Sequence, residues 1–329
     1  MSFVKYNPED SVISSEIITR GAWTNDNLTL TSFYTPDSDL GTSYNLDVYD
    51  SVDATNLQFS LQYGNKFGTG YAALNGASSE RTPSRITYGQ YRSLIYSDEN
   101  SSFTFGSITS TSFWALSIAR ARFKESIKPG SLTLKLKGSG SGLANLTLTD
   151  DSIVSGSVTN FIGSNRYYNL ISGSGGAAAA STNGVSGSYG LIFPDLGVIL
   201  LNPKALSQAS SSGGAGISES TGTSGYSIQS IFNSINTGSL FTLQSQETVS
   251  SRYFFTRVKN NDFNYTTNPT IINDSGSLLY DTLIDSPQTY ITTVGMYNDN
   301  NELLGVAKLS RPLIKDFTKE ALIRIKLDY

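Results

Sequence analysis

Along most of the chain, apolar side chains recur at every second position. Leu57, Phe59, Leu61 and Tyr63 alternate with Gln58, Ser60 and Gln62. The same period runs through Tyr44, Leu46 and Val48, through Leu132, Leu134 and Leu136, through Leu146 and Leu148, and through Ile323, Ile325 and Leu327. Successive side chains of a strand point to opposite faces, so each run predicts a strand with one face in a core and one in water. Turn-forming residues separate the runs, as in Asn25-Asp26-Asn27 and Lys137-Gly138-Ser139-Gly140. Tyr290–Tyr297 and Leu303–Leu309 flank the polar turn Asn298–Asn301 and predict an antiparallel hairpin, with Pro312 limiting further pairing. Ile323–Leu327 is expected to bury its apolar face in the same core. Leu191–Leu201 is apolar throughout and predicts a buried strand pair around Pro194-Asp195.

Helical periodicity is scarce. Ile228, Ile231, Phe232 and Ile235 fall on one stripe and predict a helix over Tyr226–Asn236, with Gly238 as its stop. Asn202 followed by Pro203 predicts a short helix to Gln208, because Asn caps and Pro suits the first helical position. Phe317–Leu322 is read as a turn of helix before the last strand. Two stretches, Ser172–Gly190 and Gln208–Gly225, are rich in Ser, Gly and Ala and read as flexible loops. No repeat recurs at a fixed period of about 20–50 residues, which argues against a solenoid or propeller. The expected fold is all-β, a sandwich or barrel-like core with few short helices and long Ser/Gly-rich loops. A boundary near Asp150 would divide an N-terminal β region, 1–150, from a loop-rich β region with the C-terminal hairpin, 151–329.

Composition narrows the chemistry. The 329 residues contain no His and no Cys. That removes Ser–His–Asp and Cys–His triads, imidazole bases, thiolate nucleophiles, Cys/His zinc sites and disulfides. Charged residues make up 15% and aromatic residues 11%. Disordered chains are charge-rich and aromatic-poor, so the balance favours a folded β protein. The net charge of −4 does not favour nucleic acid or anionic lipid as a partner. No apolar run reaches the ~18 residues that span a bilayer, and the N-terminus lacks a secretory pattern. No membrane insertion is expected, and synthesis in a cytoplasm is.

Few constellations offer chemistry. Gly173, Gly175 and Ala178 fit G-x-G-x-x-A after a strand-like segment, but no helix pattern follows, so a mobile loop is the stronger reading. Carboxylates at Asp150-Asp151, Asp262, Asp274 and Asp299–Glu302 read as turn residues, with calcium at Asp299–Glu302 left open. As a strand, Arg120, Arg122 and Lys124 would share one face opposite Ala119, Ala121 and Phe123. That stripe is either a contact for an acidic subunit or a solvated face. Tyr253, Phe255 and Arg257 would form an aromatic/Arg surface, a composition favoured at interfaces, with Phe254 and Val258 turned to the core; the alternative is a strand buried on both sides. These six residues are the candidate subunit interface. No catalytic residue, cofactor or metal ligand is predicted.

The segments YNPEDSVISSEIITRGAW, LQFSLQYGNKFGTG, YGQYRSLIY, SIKPGSLTLKL with LTLTDDS, and GSYGLIFPDLGVILLNP resemble a virion structural protein of contractile-tailed marine bacteriophages, chiefly cyanophages. So do SRYFFTRVKNNDFNYTTNPT and the run from Tyr290 to Tyr329. This last block is also similar to phage tail-fibre or tail-collar attachment elements. The resemblance covers most of the chain in order, with gaps at the Ser/Gly-rich stretches. It implies a non-enzymatic particle component, in the tail or baseplate, assembled in a host cytoplasm. Its implied partners are other virion proteins and copies of itself. The alternatives are a receptor-binding protein recognising host glycan and a neck or head-associated virion protein.

Overall fold

The computed structural model describes residues 5–36, 45–52, 55–70, 82–139, 144–154, 159–179, 187–220, 226–264 and 268–328. The fold is all-β. One antiparallel sheet runs from Thr29–Leu30 through the strands at 241–242, 133–136, 146–150, 165–174, 190–193, 198–201, 112–118, 57–65 and 46–50, ending at Phe33–Tyr34. The two ends of this path are neighbours in sequence, so the sheet curls almost into a barrel. Its interior is filled by Phe59, Leu61, Trp114, Leu134, Leu148 and Ile199, among others.

The central strands are buried on both faces, which explains their unbroken apolar runs. In Ser112–Ile118, Trp114, Leu116 and Ile118 enter the main core, while Phe113 and Ala115 enter a second, aromatic cluster. Leu191–Leu201 divides in the same way, with Ile192 and Ile199 on one side and Leu191, Phe193, Val198 and Leu200 on the other. The expected strand pair there is Gly190–Phe193 with Val198–Leu201. Gln58 is also buried, not wet, and it bonds Thr24 through both ends of its amide.

The aromatic cluster is roofed by a helix that strand periodicity does not reveal, Pro83–Tyr96. Thr82 precedes it, and Pro83 sits in its first turn. Tyr88, Tyr91 and Ile95 turn inward onto Phe103 and Phe113. The two expected helices are present as Tyr226–Gly238 and Pro203–Leu206, the latter capped by Asn202, whose side chain accepts from Lys204 N. Phe317–Leu322 forms no helix: a turn at 317–318, closed by Lys319 N donating to the Asp316 carbonyl, precedes the strand Ala321–Asp328.

Both Ser/Gly-rich stretches carry more structure than their composition suggests. Within Gln208–Gly225, of which 208–220 is described, Ala215 and Ile217 are fully buried and both their amides donate to the Leu206 carbonyl. Tyr63 Oη donates to Glu219 Oε2 at 2.6 Å and fastens the same segment to the strand Leu57–Asn65. Within Ser172–Gly190, residues 180–186 lie outside the described residues.

Contacts divide the chain into two units, Ile17–Glu247 and Met1–Glu16 with Thr248–Tyr329. The line expected near Asp150 falls inside the larger unit, where Leu146–Asp150 pairs with Asn165–Ser174. The smaller unit contains the expected hairpin, but Leu303–Lys315 pairs with Thr289–Tyr297 beyond Pro312, which sits at a register shift between Ile291 and Thr293 and so does not end the ladder. The unit also holds the pairing of Arg252–Val258 with Ala321–Leu327. Its core is thin. Val258, Ile323 and Ile325 are buried, with Phe254, Ile291, Val294 and Leu313 among the partly buried residues packed around them.

Candidate interaction surface

The basic stripe is not a strand face. Arg120–Phe123 forms a single turn of helix, and Lys124 caps it with a positive φ of 51°. The ladder ends just before it: Ile118 N bonds the Gly197 carbonyl and Ala119 N bonds the Gln58 carbonyl, and the strand facing it starts only at Val198. Phe123 then turns in and is buried, with its ring against the bare backbone of Gly197. The three cations separate as a result. Arg120 lies over the Phe123 ring at 4.7 Å. Arg122 Nη1 donates to Thr24 Oγ1 at 3.3 Å, and Lys124 pairs with Glu247 at 2.9 Å. Arg122 and Lys124 share a cleft of 240 Å³ with Asn25 and Asp26, so that opening is not uniformly basic.

Tyr253, Phe255 and Arg257 do lie on one face of their strand. Opposite residues of an antiparallel pair share a face, and their partners are Lys326, Arg324 and Leu322. The Arg324 guanidinium sits 5.5 Å from the Tyr253 ring centre, and Arg257 pairs with Glu320 at 2.6 Å. On the reverse face Phe254 and Thr256 stand opposite Ile325 and Ile323, toward the core. The aromatic/Arg surface is therefore half-buried, backed by a cation-bearing edge strand in which Leu322 is exposed.

A larger apolar surface escaped the strand reading. The hairpin turns Ile291, Val294, Met296, Ala307, Leu309 and Leu313 to the core. Its other face carries Tyr290 opposite Ile314, Val306 opposite Gly295, and Leu303 opposite Tyr297, all exposed. Leu304 is 70% exposed, Tyr290 60% and Val306 58%. The Tyr297 ring leans over Gly295, where a Cβ would come within 2.9 Å of it. The signal was available: Leu303-Leu304 breaks the alternation, and a bulge there leaves both side chains exposed. Most of the large hydrophobic side chains exposed among the described residues belong to this smaller unit.

The glycine motif is a hairpin turn. Gly173 and Ser174 pair with Ala178 and Ala177, and Gly175 and Gly176 take φ of 56° and 79° at the corner. The amides of Gly175 and Gly176 donate to Thr133 Oγ1 and Thr149 Oγ1, so neither faces a phosphate. Among the described residues, no three acidic groups come together to hold a metal ion. The Asp299–Glu302 turn is organised by Asn298, whose Oδ1 accepts from Asn300 N and Glu302 N. No helix of the described residues is long and apolar enough to cross a membrane. No family model, curated protein or solved structure matches the chain.

Proposed function

We propose that the chain is a non-enzymatic structural subunit of a bacteriophage virion, in the tail or baseplate, acting through contacts with other virion proteins and with copies of itself. The observation that carries this reading is the imbalance of the smaller unit. Among the described residues its buried apolar side chains are Val258, Ile323 and Ile325, while Leu304, Val306, Tyr290, Ile314 and Leu322 face outward. Exposed apolar pairs, here Tyr290 with Ile314 and Tyr297 with Leu303, mark interaction sites, and small domains with thin cores are commonly completed by a partner. Apart from Lys308, the paired positions on the hairpin's outer face carry no charge to desolvate on association. The sequence resemblance to virion proteins agrees with this use.

The test uses the full-length chain in phage particles. Leu304→Lys and Val306→Lys are exposed and should leave the melting temperature within a degree or two, yet exclude the subunit from purified particles. Phe255→Ser with Tyr253→Ser should act in the same direction. Particles that lack the wild-type chain, or that incorporate the Lys variants at wild-type levels, would overturn the reading.

A further inference from the structure

The helix Pro83–Tyr96 presents Arg85, Tyr88, Gly89 and Arg92 at i, i+3, i+4 and i+7, on one face. That face walls an open cleft of 490 Å³ closed by Lys66, Phe67, Ile86 and Glu99. Among the described residues that line it, three cations meet one carboxylate, inside a protein whose net charge is −4. Lys66 spends one of its three protons on Ser102 Oγ at 3.0 Å. The Arg92 guanidinium stands 5.8 Å from the Tyr88 ring centre. Asp98 lies near Arg92, but its carboxylate already accepts from Asn100 N, Ser101 N and Ser101 Oγ. At the rim Phe67 is 63% exposed and Ile86 is exposed beside it.

Gly89 is the second observation. Glycine weakens a helix interior relative to alanine, and it is normally kept for a positive φ or a close approach. Gly89 has neither reason: its φ is ordinary, and a Cβ built there meets no atom of the described residues within 4 Å. The packing of the described residues does not need this glycine. It leaves bare backbone on the floor of the cleft, between the two arginines. Such an opening is too polar for an apolar ligand. It suits a flat, hydroxylated body with an anionic group, which could stack on an exposed phenyl ring and be held by cations.

We infer that this cleft binds an acidic saccharide, with Lys66 and Arg92 holding its carboxylate or sulfate, Arg85 flanking it, and the ring lying over Gly89 against Phe67. The inference is separate from the virion reading, because it concerns the larger unit and a small ligand.

The experiment is calorimetric titration of the full-length protein with oligogalacturonate, heparin oligosaccharide, neutral dextran oligosaccharide and inorganic sulfate. Saturable binding is expected for one or both acidic oligosaccharides, and none for dextran. Oligogalacturonate carries carboxylates alone and heparin carries both groups, so binding of the first shows that a carboxylate suffices, and binding of heparin alone shows that sulfate is needed. Arg92→Gln and Lys66→Gln should each weaken binding about tenfold or more, and Glu99→Gln should strengthen it. Gly89→Ala should raise the melting temperature and still weaken binding, a pair of effects that a purely structural glycine does not give. Absence of binding to both acidic oligosaccharides, equal binding of dextran, or sulfate alone binding as tightly as either oligosaccharide would overturn the inference. So would Gly89→Ala or Arg92→Gln variants that bind as the wild type does.

Discussion

Lys315 Nζ donates to Asn264 Oδ1 across 2.7 Å, at a position sealed from solvent. The same ammonium donates to the carbonyls of Asn260 at 2.9 Å and Asp316 at 2.8 Å, so each of its three protons is matched. All three partners are neutral oxygens. A buried ammonium is tolerated only when fully bonded, and its removal leaves those acceptors stranded. Lys315→Met should therefore destabilise the smaller unit by about 2–5 kcal/mol, and Asn264→Ala by less. Denaturant titration of the two variants and their double mutant checks this. Additive effects would show that the pair is not coupled.

The C-terminal strand should matter to one unit only. Ile323 and Ile325 are two of the three buried side chains in the smaller core, and each is worth roughly 1.5–3 kcal/mol when fully buried. The main core and the aromatic cluster draw on neither. Deleting Leu322–Tyr329 should abolish one thermal transition and leave the other, with a protease-resistant fragment close to Ile17–Glu247. Calorimetry that finds a single transition near the full-length temperature would show that the strand is a docking arm and not core.

Much of this fold was legible because strand alternation is local. The pairs Leu46↔Leu61 and Leu134↔Leu148 join runs that the sequence already marked as strands. The helix Pro83–Tyr96 was missed because its inward residues are largely Tyr and Thr, and Gly89 interrupts it. Thr82-Pro83 and the spacing of Tyr88, Tyr91 and Ile95 were the available clues. Arg120–Lys124 was misread for a different reason. Alternation over four residues cannot tell a strand from one helical turn, and the deciding fact, a ladder that starts only at Val198, lies far along the chain. Ala215 and Ile217 are similar, since their burial depends on the Leu206 carbonyl and not on neighbouring Ser and Gly. The cleft beside Lys66 joins two distant segments and had no local signature.

Two glycines separate backbone strain from crowding. Gly197 and Gly175 both have positive φ, 69° and 56°. A Cβ at Gly175 meets none of the described residues within 4 Å, so Gly175→Ala should cost only the left-handed penalty, roughly 1–2 kcal/mol. At Gly197 the same atom would fall 2.2 Å from the Phe123 ring. Gly197→Ala should cost clearly more, by roughly 1–3 kcal/mol of overpacking. Adding Phe123→Leu should return part of that excess. Equal costs at the two sites would mean that the Phe123 ring moves aside freely.

Asp150 should make stability fall as pH rises. Its carboxyl is buried, with Oδ1 accepting from Gly130 N at 2.8 Å and from Ser152, while Oδ2 meets no donor among the described residues. Burial raises its pKa above the usual 3.8, and the bonds from Ser152 and Gly130 offset only part of that. The native state therefore keeps this proton to a higher pH than the unfolded chain does. The contribution is most favourable below 3.8, declines as pH climbs from there through the native value, and is level beyond it. Asp150→Asn is neutral throughout and retains the Oδ1 acceptor. The variant should match the wild type in acid and gain on it steadily across that window. Taking the difference between the two proteins cancels exposed carboxylates such as Asp328, whose lowered pKa gives the opposite slope. Urea midpoints measured from below 3.8 to neutral pH decide the matter. A difference that stays constant with pH would mean that Asp150 titrates alike in the folded and unfolded chains.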